Sequence, residues 1–219
     1  MDTVLLFVQA VLLAAAGFAG FAAAITIGIS RNSFGGNCIL YAETAWFNKT
    51  TLYFKDLGNN SACHFCVTLQ VIASFYALIY CAYTGYILLK NSEFRFLVLP
   101  AIIVNCCLAC CIFIQACVVS VGFRQFCKSV SSGDNDLDCS QGSDIDWNTK
   151  AKPDGYVQHD PFDVGKYYQF LTSGQGASWA SFLFWLAIAI LTIVRRIRDT
   201  SSTTLDPNSD KAPITDVVI

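Results

Sequence analysis

Four long apolar runs constrain this chain more than any other feature, at about residues 4–29, 66–89, 96–121 and 177–194. At ~1.5 Å of rise per residue, helices of this length reach across the ~30 Å hydrocarbon core of a bilayer. Inside that core every backbone N–H and C=O must find its partner within the protein, which favours helices. The charges sit between the runs. Only 14% of the 219 residues are charged and 54% are hydrophobic, whereas a soluble domain carries about 25% charge. The expected fold is an all-α membrane protein: a four-transmembrane-helix bundle over residues 1–199 and a disordered tail at 200–219, rich in Ser, Thr, Asp and Pro. The first run competes with a signal peptide. No basic segment precedes it and it far exceeds a ~7–15-residue signal core, so it is expected to stay as a helix.

Two polar intervals, 30–65 and 122–176, and one very short link, 90–95, join the runs. So short a link makes the second and third spans antiparallel. Lys and Arg number two in the six-residue link and four in the twenty-five residues from Arg195, against three in thirty-six and five in fifty-five in the two long loops. The basic density is thus about twofold higher on the link-and-tail side, which the positive-inside rule assigns to the cytoplasm. Both termini are then cytoplasmic, in a plasma membrane or an endomembrane of the secretory and vesicular system. Two N-x-[ST] sequons fall on the opposite side, Asn48-Lys49-Thr50 and Asn59-Asn60-Ser61, so Asn48 and Asn59 are candidate glycosylation sites. Cys38, Cys63, Cys127 and Cys139 share that oxidising side and should pair. Of three possible connectivities, Cys38–Cys63 and Cys127–Cys139 are expected, because each closes within one loop. Thr50, Leu52 and Phe54 alternate as in a short strand or hairpin.

Within the runs, Ala16, Gly20, Ala24 and Gly28 recur every fourth residue and form one small-residue helix face, suited to close helix packing. Internal packing is the expected use; a dimer face is the alternative. Tyr76, Tyr80 and Tyr83 share another face, expected to pack on neighbouring helices rather than line a pore. Asn105 and Gln115 are amides at membrane depth and should hydrogen-bond across helices. Cys106, Cys107, Cys110, Cys111 and Cys117 are read as small apolar packing residues. They lie too deep for juxtamembrane palmitoylation.

No constellation supports catalysis. Asp134-Asn135-Asp136-Leu137-Asp138 resembles the start of a calcium loop, but the required Gly and Glu positions hold Cys139 and Ile145. The acids, with Asp144, Asp146, Asp154, Asp160 and Asp163, read as a solvated loop. Cys63-His64-Phe65-Cys66 opens a helix without a second cysteine pair beside it, and neither His64 nor His159 sits near a convincing nucleophile or ligand set. No metal, cofactor or enzyme activity is expected, and a net charge of −2 makes nucleic acid an unsuitable partner. On the cytoplasmic side, Arg195, Arg196 and Arg198 form a stop signal. The terminal Asp216-Val217-Val218-Ile219 fits a PDZ-type ligand, with Val217 and Ile219 at the recognition positions.

Certain stretches carry a family likeness. Ser33-Phe34-Gly35-Gly36-Asn37-Cys38-Ile39-Leu40-Tyr41, Ser120-Val121-Gly122-Phe123 leading to Cys127, Cys139 with Asp144-Ile145-Asp146, and Ala177-Ser178-Trp179 resemble the transmembrane protein 179 family. That resemblance implies four spans in a claudin-like organisation and carries over no catalytic residue. The chain departs from claudins proper: Trp46 is not followed by a close cysteine pair, and the second loop is the longer one. The expected function is that of a non-enzymatic accessory or adaptor protein in the lipid bilayer, binding another membrane protein or a surface ligand through its outer loops. A pore-forming or junctional oligomer is the alternative.

Overall fold

A computed structural model describes residues 3–48, 51–90, 98–132, 138–144, 147 and 165–204. The chain runs through helix α1 (Thr3–Ser33), strands β1 (Cys38–Asn48) and β2 (Thr51–Gly58), helices α2 (Asn60–Lys90) and α3 (Val98–Val130), a 3-10 turn (Gln141–Asp144) and helix α4 (Tyr167–Thr204). All four helices are long and apolar enough to cross a membrane. α1 packs along α2 and α4, α3 packs along α4, and α2 meets α3 over a shorter stretch. Val4, Phe7, Ile25, Ile72, Ile79, Ile103, Ile114 and Leu183 stay exposed on the bundle. In water such a surface would drive association; in a bilayer it is the lipid-facing surface.

The helices overrun the apolar runs. α3 has 33 residues and α4 has 38, so each is ~50 Å or longer at ~1.5 Å per residue. The interval 122–176, expected to be loop, is helical over Gly122–Val130 and again from Tyr167. The last span, expected to be the shortest at 177–194, lies in the longest helix, and residues 200–204 of the expected disordered tail continue that helix. Apolar runs measure the thickness of lipid. Beyond it a helix needs only a buried stripe, and Phe126 with Val130, and Tyr167 with Leu171, supply one at i, i+4 spacing. α2 starts six residues before its apolar run, because the Asn59 carboxamide oxygen accepts from the Ser61 N–H at 2.9 Å and caps it. Residues 91–97, which take in most of the short link, most of the acidic interval and 205–219, which include Val217 and Ile219, lie outside the described residues.

Two apolar clusters organise the interior. One lies in the bundle, around Leu13, Ala73, Ala77, Ile112, Trp185 and Ile188. Polar groups stitch the helices beside it. Gln70 Nε2 donates to Gln115 Oε1 at 2.7 Å, Gln115 Nε2 to the Ser178 hydroxyl at 3.1 Å, and the Ser181 hydroxyl to Gln70 Oε1 at 3.2 Å. Tyr76 donates to Asn105 Oδ1, and Asn105 Nδ2 to Thr192. The amides at 105 and 115 therefore join helices. Tyr76 also stacks on Trp185 and Tyr80, and Tyr80 on Tyr83. The second cluster lies at the other end of the bundle, where the hairpin sits.

Candidate functional site: the disulfide-braced loop end

β1 and β2 form a two-stranded antiparallel sheet, with Trp46 opposite Leu52 and Asn48 opposite Thr51. An isolated two-stranded ribbon is marginal in water, so this one leans on the helices. Its register shifts between Cys38 and Glu43. Inside that irregularity Tyr41 takes φ +67°, a left-handed conformation typical of bulges but uncommon for a bulky residue. The Tyr41 hydroxyl donates to the Val118 carbonyl of α3 at 3.2 Å. Gly122 makes this approach fit: a Cβ there would lie 2.9 Å from both Leu40 Cβ and Tyr41 Cε2. Further along, the Thr44 N–H donates to the Ser129 hydroxyl at 3.2 Å and Trp46 Nε1 to the Val130 carbonyl at 3.2 Å. The hairpin is thus fixed along about three turns of α3.

Two disulfides close the assembly, as expected from loop closure. Cys38–Cys63 ties the start of β1 to the first turn of α2, and Cys127–Cys139 ties the end of α3 to the segment just ahead of the 3-10 turn. Cys66 remains a buried free thiol. The aromatic core between them holds Phe34, Phe54, Phe126, Trp147 and Tyr167, with Trp147 centred 5.2 Å from Phe54 and 6.1 Å from both Phe34 and Tyr167. Trp147 Nε1 donates to the Gly142 carbonyl at 2.8 Å, and the Tyr167 hydroxyl to the Cys139 carbonyl at 2.6 Å. Burial, with a smaller contribution from Tyr168, pushes the Tyr167 phenol well above its ordinary range. Burial likewise raises Tyr41, with Cys66 adding to it.

Trp147 and Tyr167 were missed by sequence reasoning. Their signals were a lone tryptophan after an Asp-Ile-Asp step and a tyrosine ten residues ahead of the last apolar run. The other candidates are distributed as follows. Asn48 lies at the hairpin tip by register. Asn59 is exposed at the start of α2. Ala16, Gly20 and Ala24 are buried, and a Cβ on Gly20 would meet the Ser74 hydroxyl, with Gln70 Oε1 at 3.0 Å. Gly20 thus faces α2 of the same chain. Gly28 has nothing within 4 Å of such a Cβ. Cys107, Cys110 and Cys111 are exposed on the lipid-facing side of α3. Among the described residues no group of three or more His, Cys, Asp and Glu is placed to hold a metal.

The exposed side of the hairpin carries Glu43, Lys55, Asp56 and Leu57, with Lys55 Nζ 3.9 Å from Glu43. A cleft of ≈ 830 Å³ opens between α3, α4 and the second disulfide. Among the described residues neither holds a hydroxyl or thiol hydrogen-bonded to a carboxylate or imidazole. The arrangement is a braced platform with a pocket beside it, suited to recognition.

A family model described as "Transmembrane protein 179/179B Claudin domain" matches residues 5–214. Relatives include transmembrane protein 179B of Danio rerio, 22% identical over 81% of this chain and 77% of that protein. The Homo sapiens protein of that name is 23% identical over 86% and 81%, and the Mus musculus protein 25% over 84% and 80%. No solved structure gives a significant match.

Proposed function

Because the chain belongs to the transmembrane protein 179/179B claudin-domain family, we propose that this multi-pass membrane protein acts without chemistry of its own. It serves as an accessory or adaptor subunit whose loop end binds another membrane protein or a surface ligand. The observation that carries this reading is the docked hairpin. One side is spent on α3 through Tyr41, Thr44 and Trp46, and the other presents Glu43, Lys55, Asp56 and Leu57 on a hairpin tied at Cys38 by a disulfide. Preorganisation of this kind lowers the ordering cost of binding. In this reading the loop end is extracellular or lumenal and both termini are cytoplasmic, as the Lys/Arg distribution favours. Asn48 then carries a glycan, and Val217 and Ile219 engage a PDZ-type cytoplasmic partner.

A photo-crosslinking residue at Asp56 or Leu57, in native membranes, tests the recognition reading. A discrete adduct with a different protein is expected from these sites and not from Ile79, which is 70% exposed on the lipid-facing bundle. Adducts only with a second copy of the chain would replace this reading with the claudin-like oligomer. The orientation is tested by Asn48→Gln, which should remove an endoglycosidase-sensitive mass shift. Absence of that shift in the parent protein would remove both the glycan and its support for the topology.

A further inference from the structure

The cleft between α3 and α4 has a composition the adaptor reading does not use. Its walls are Ser120, Val121, Phe123 and Arg124 of α3, Tyr168 and Gln175 of α4, and Asp138 to Ser140 beside the second disulfide. Its depth is set by the chain. Val121 ends the third apolar run, Gln175 lies just ahead of the fourth, and Ser131 forms the far rim. From Ser120 to Ser131 along α3 is about 16 Å at ~1.5 Å per residue. The cleft therefore begins where hydrocarbon ends and spans the headgroup layer. A volume of ≈ 830 Å³ falls in the range of about 300–1,000 Å³ typical of small-ligand sites.

The chemistry of the lining is that of a zwitterion site. Arg124 and Asp138 are exposed, of opposite charge, and form no ion pair with each other. A guanidinium offers a planar fork for a phosphate. The Phe123 and Tyr168 rings, 5.8 Å apart and tilted by 50°, offer π faces for a quaternary ammonium, with the Asp138 carboxylate in the same cleft. At the floor the Ser120 hydroxyl accepts from Gln175 Nε2 at 3.1 Å and from Trp179 Nε1 at 2.9 Å. A hydroxyl that accepts twice keeps its proton for a further acceptor, and no acceptor for it is found among the described residues. Trp179, Phe113 and Phe182 cluster just below, as aromatic side chains do at a membrane interface.

We infer that this cleft binds the headgroup of a choline phospholipid, with Arg124 on the phosphate, the Phe123–Tyr168 pair and Asp138 on the trimethylammonium, and the Ser120 hydroxyl on an ester or phosphate oxygen. Among the described lining residues one positive and one negative group balance, which suits a zwitterion over an anionic lipid. The aromatic pair suits a quaternary ammonium over a primary one.

Native mass spectrometry of the full chain in mild detergent tests this, with phosphatidylcholine, phosphatidylethanolamine, phosphatidylglycerol or soluble phosphocholine added. Phosphatidylcholine should be retained in preference to the other two lipids. Arg124→Gln and Asp138→Asn should each weaken that retention about tenfold, as loss of one charge-assisted contact does. Tyr168→Leu should narrow the preference for choline over ethanolamine. Both charged side chains are exposed, so the variants should keep the thermal stability of the parent, and a parallel melt separates misfolding from lost binding. Equal retention of phosphatidylglycerol, or unchanged retention in correctly folded Arg124→Gln and Asp138→Asn proteins, would overturn the assignment. Binding of soluble phosphocholine as tight as that of the lipid would overturn the lipid as occupant.

Discussion

Replacing Trp147 with alanine should loosen the loop end while leaving the bundle intact. The indole is 1% exposed, so the change removes nearly all of a large buried ring. Truncations of this type cost about 3–5 kcal/mol, and here the Gly142 carbonyl also loses its 2.8 Å donor, adding ~1 kcal/mol. A total of ~5 kcal/mol corresponds to between three and four orders of magnitude in a local opening equilibrium, at ~1.4 kcal/mol per decade. Hydrogen exchange of the full chain in micelles reads this directly. Protection should fall by roughly that factor across Cys38–Gly58 and at the end of α3, up to the limit set by exchange from the open state. It should hold near Leu13, Ala73, Ile112 and Trp185, which form a separate cluster. Trp147→Phe keeps most of the ring and should cost about 1–2 kcal/mol, chiefly the lost N–H donor. Unchanged protection of the hairpin in Trp147→Ala, or an equal loss in the bundle, would refute the two-cluster description.

Three further perturbations probe the other links. Gly20→Leu should destabilise the detergent-solubilised protein, because a Cβ at Gly20 already meets Ser74 and Gln70, whereas Gly28→Leu should be nearly neutral in the same thermal melt. Gln70→Leu strands the Gln115 carboxamide oxygen and the Ser181 hydroxyl and should cost ~1–2 kcal/mol by denaturing-detergent titration; adding Gln115→Leu should cost less than the sum of the two single changes, and strict additivity would contradict the coupled network. The fold holds the neutral Tyr167 phenol, whose pKa is raised by burial, so its contribution is fully present below about pH 10 and is lost as pH rises from there towards the raised folded value. Wild-type melting temperature should therefore fall more steeply above about pH 10 than that of Tyr167→Phe, which starts lower at neutral pH because the Cys139 carbonyl loses its donor.

The bundle was legible because lipid imposes a length and a composition that no soluble helix needs. Asn105 and Gln115 were legible for the same reason, since a polar group at that depth must find a partner. The disulfide pairs were legible from the shortest closures. The elements outside lipid were less so. The hairpin was visible only as the alternation in Thr50, Leu52 and Phe54; β1 hid behind the register shifts that turn Tyr41 onto α3. The ends of α3 and α4 were read as loop, because their buried stripes, Phe126 with Val130 and Tyr167 with Leu171, are one residue wide. Trp147 is buried by residues from the turn after α1, from β2, α3 and α4, a convergence that no local pattern encodes. The Phe123–Tyr168 wall of the cleft likewise exists only once two distant helices pack.

Two disulfides brace one end of a four-span bundle, and the proposed function sets that end on the oxidising side of the membrane. Peptide mapping by mass spectrometry tests it most directly, on protein alkylated in intact membranes and digested without reduction. The expected result is two cross-linked peptides, joining Cys38 to Cys63 and Cys127 to Cys139, with Cys66 recovered as a free thiol. Recovery of all four loop cysteines as free thiols, or linkage of Cys38 or Cys63 to the second pair, would contradict it.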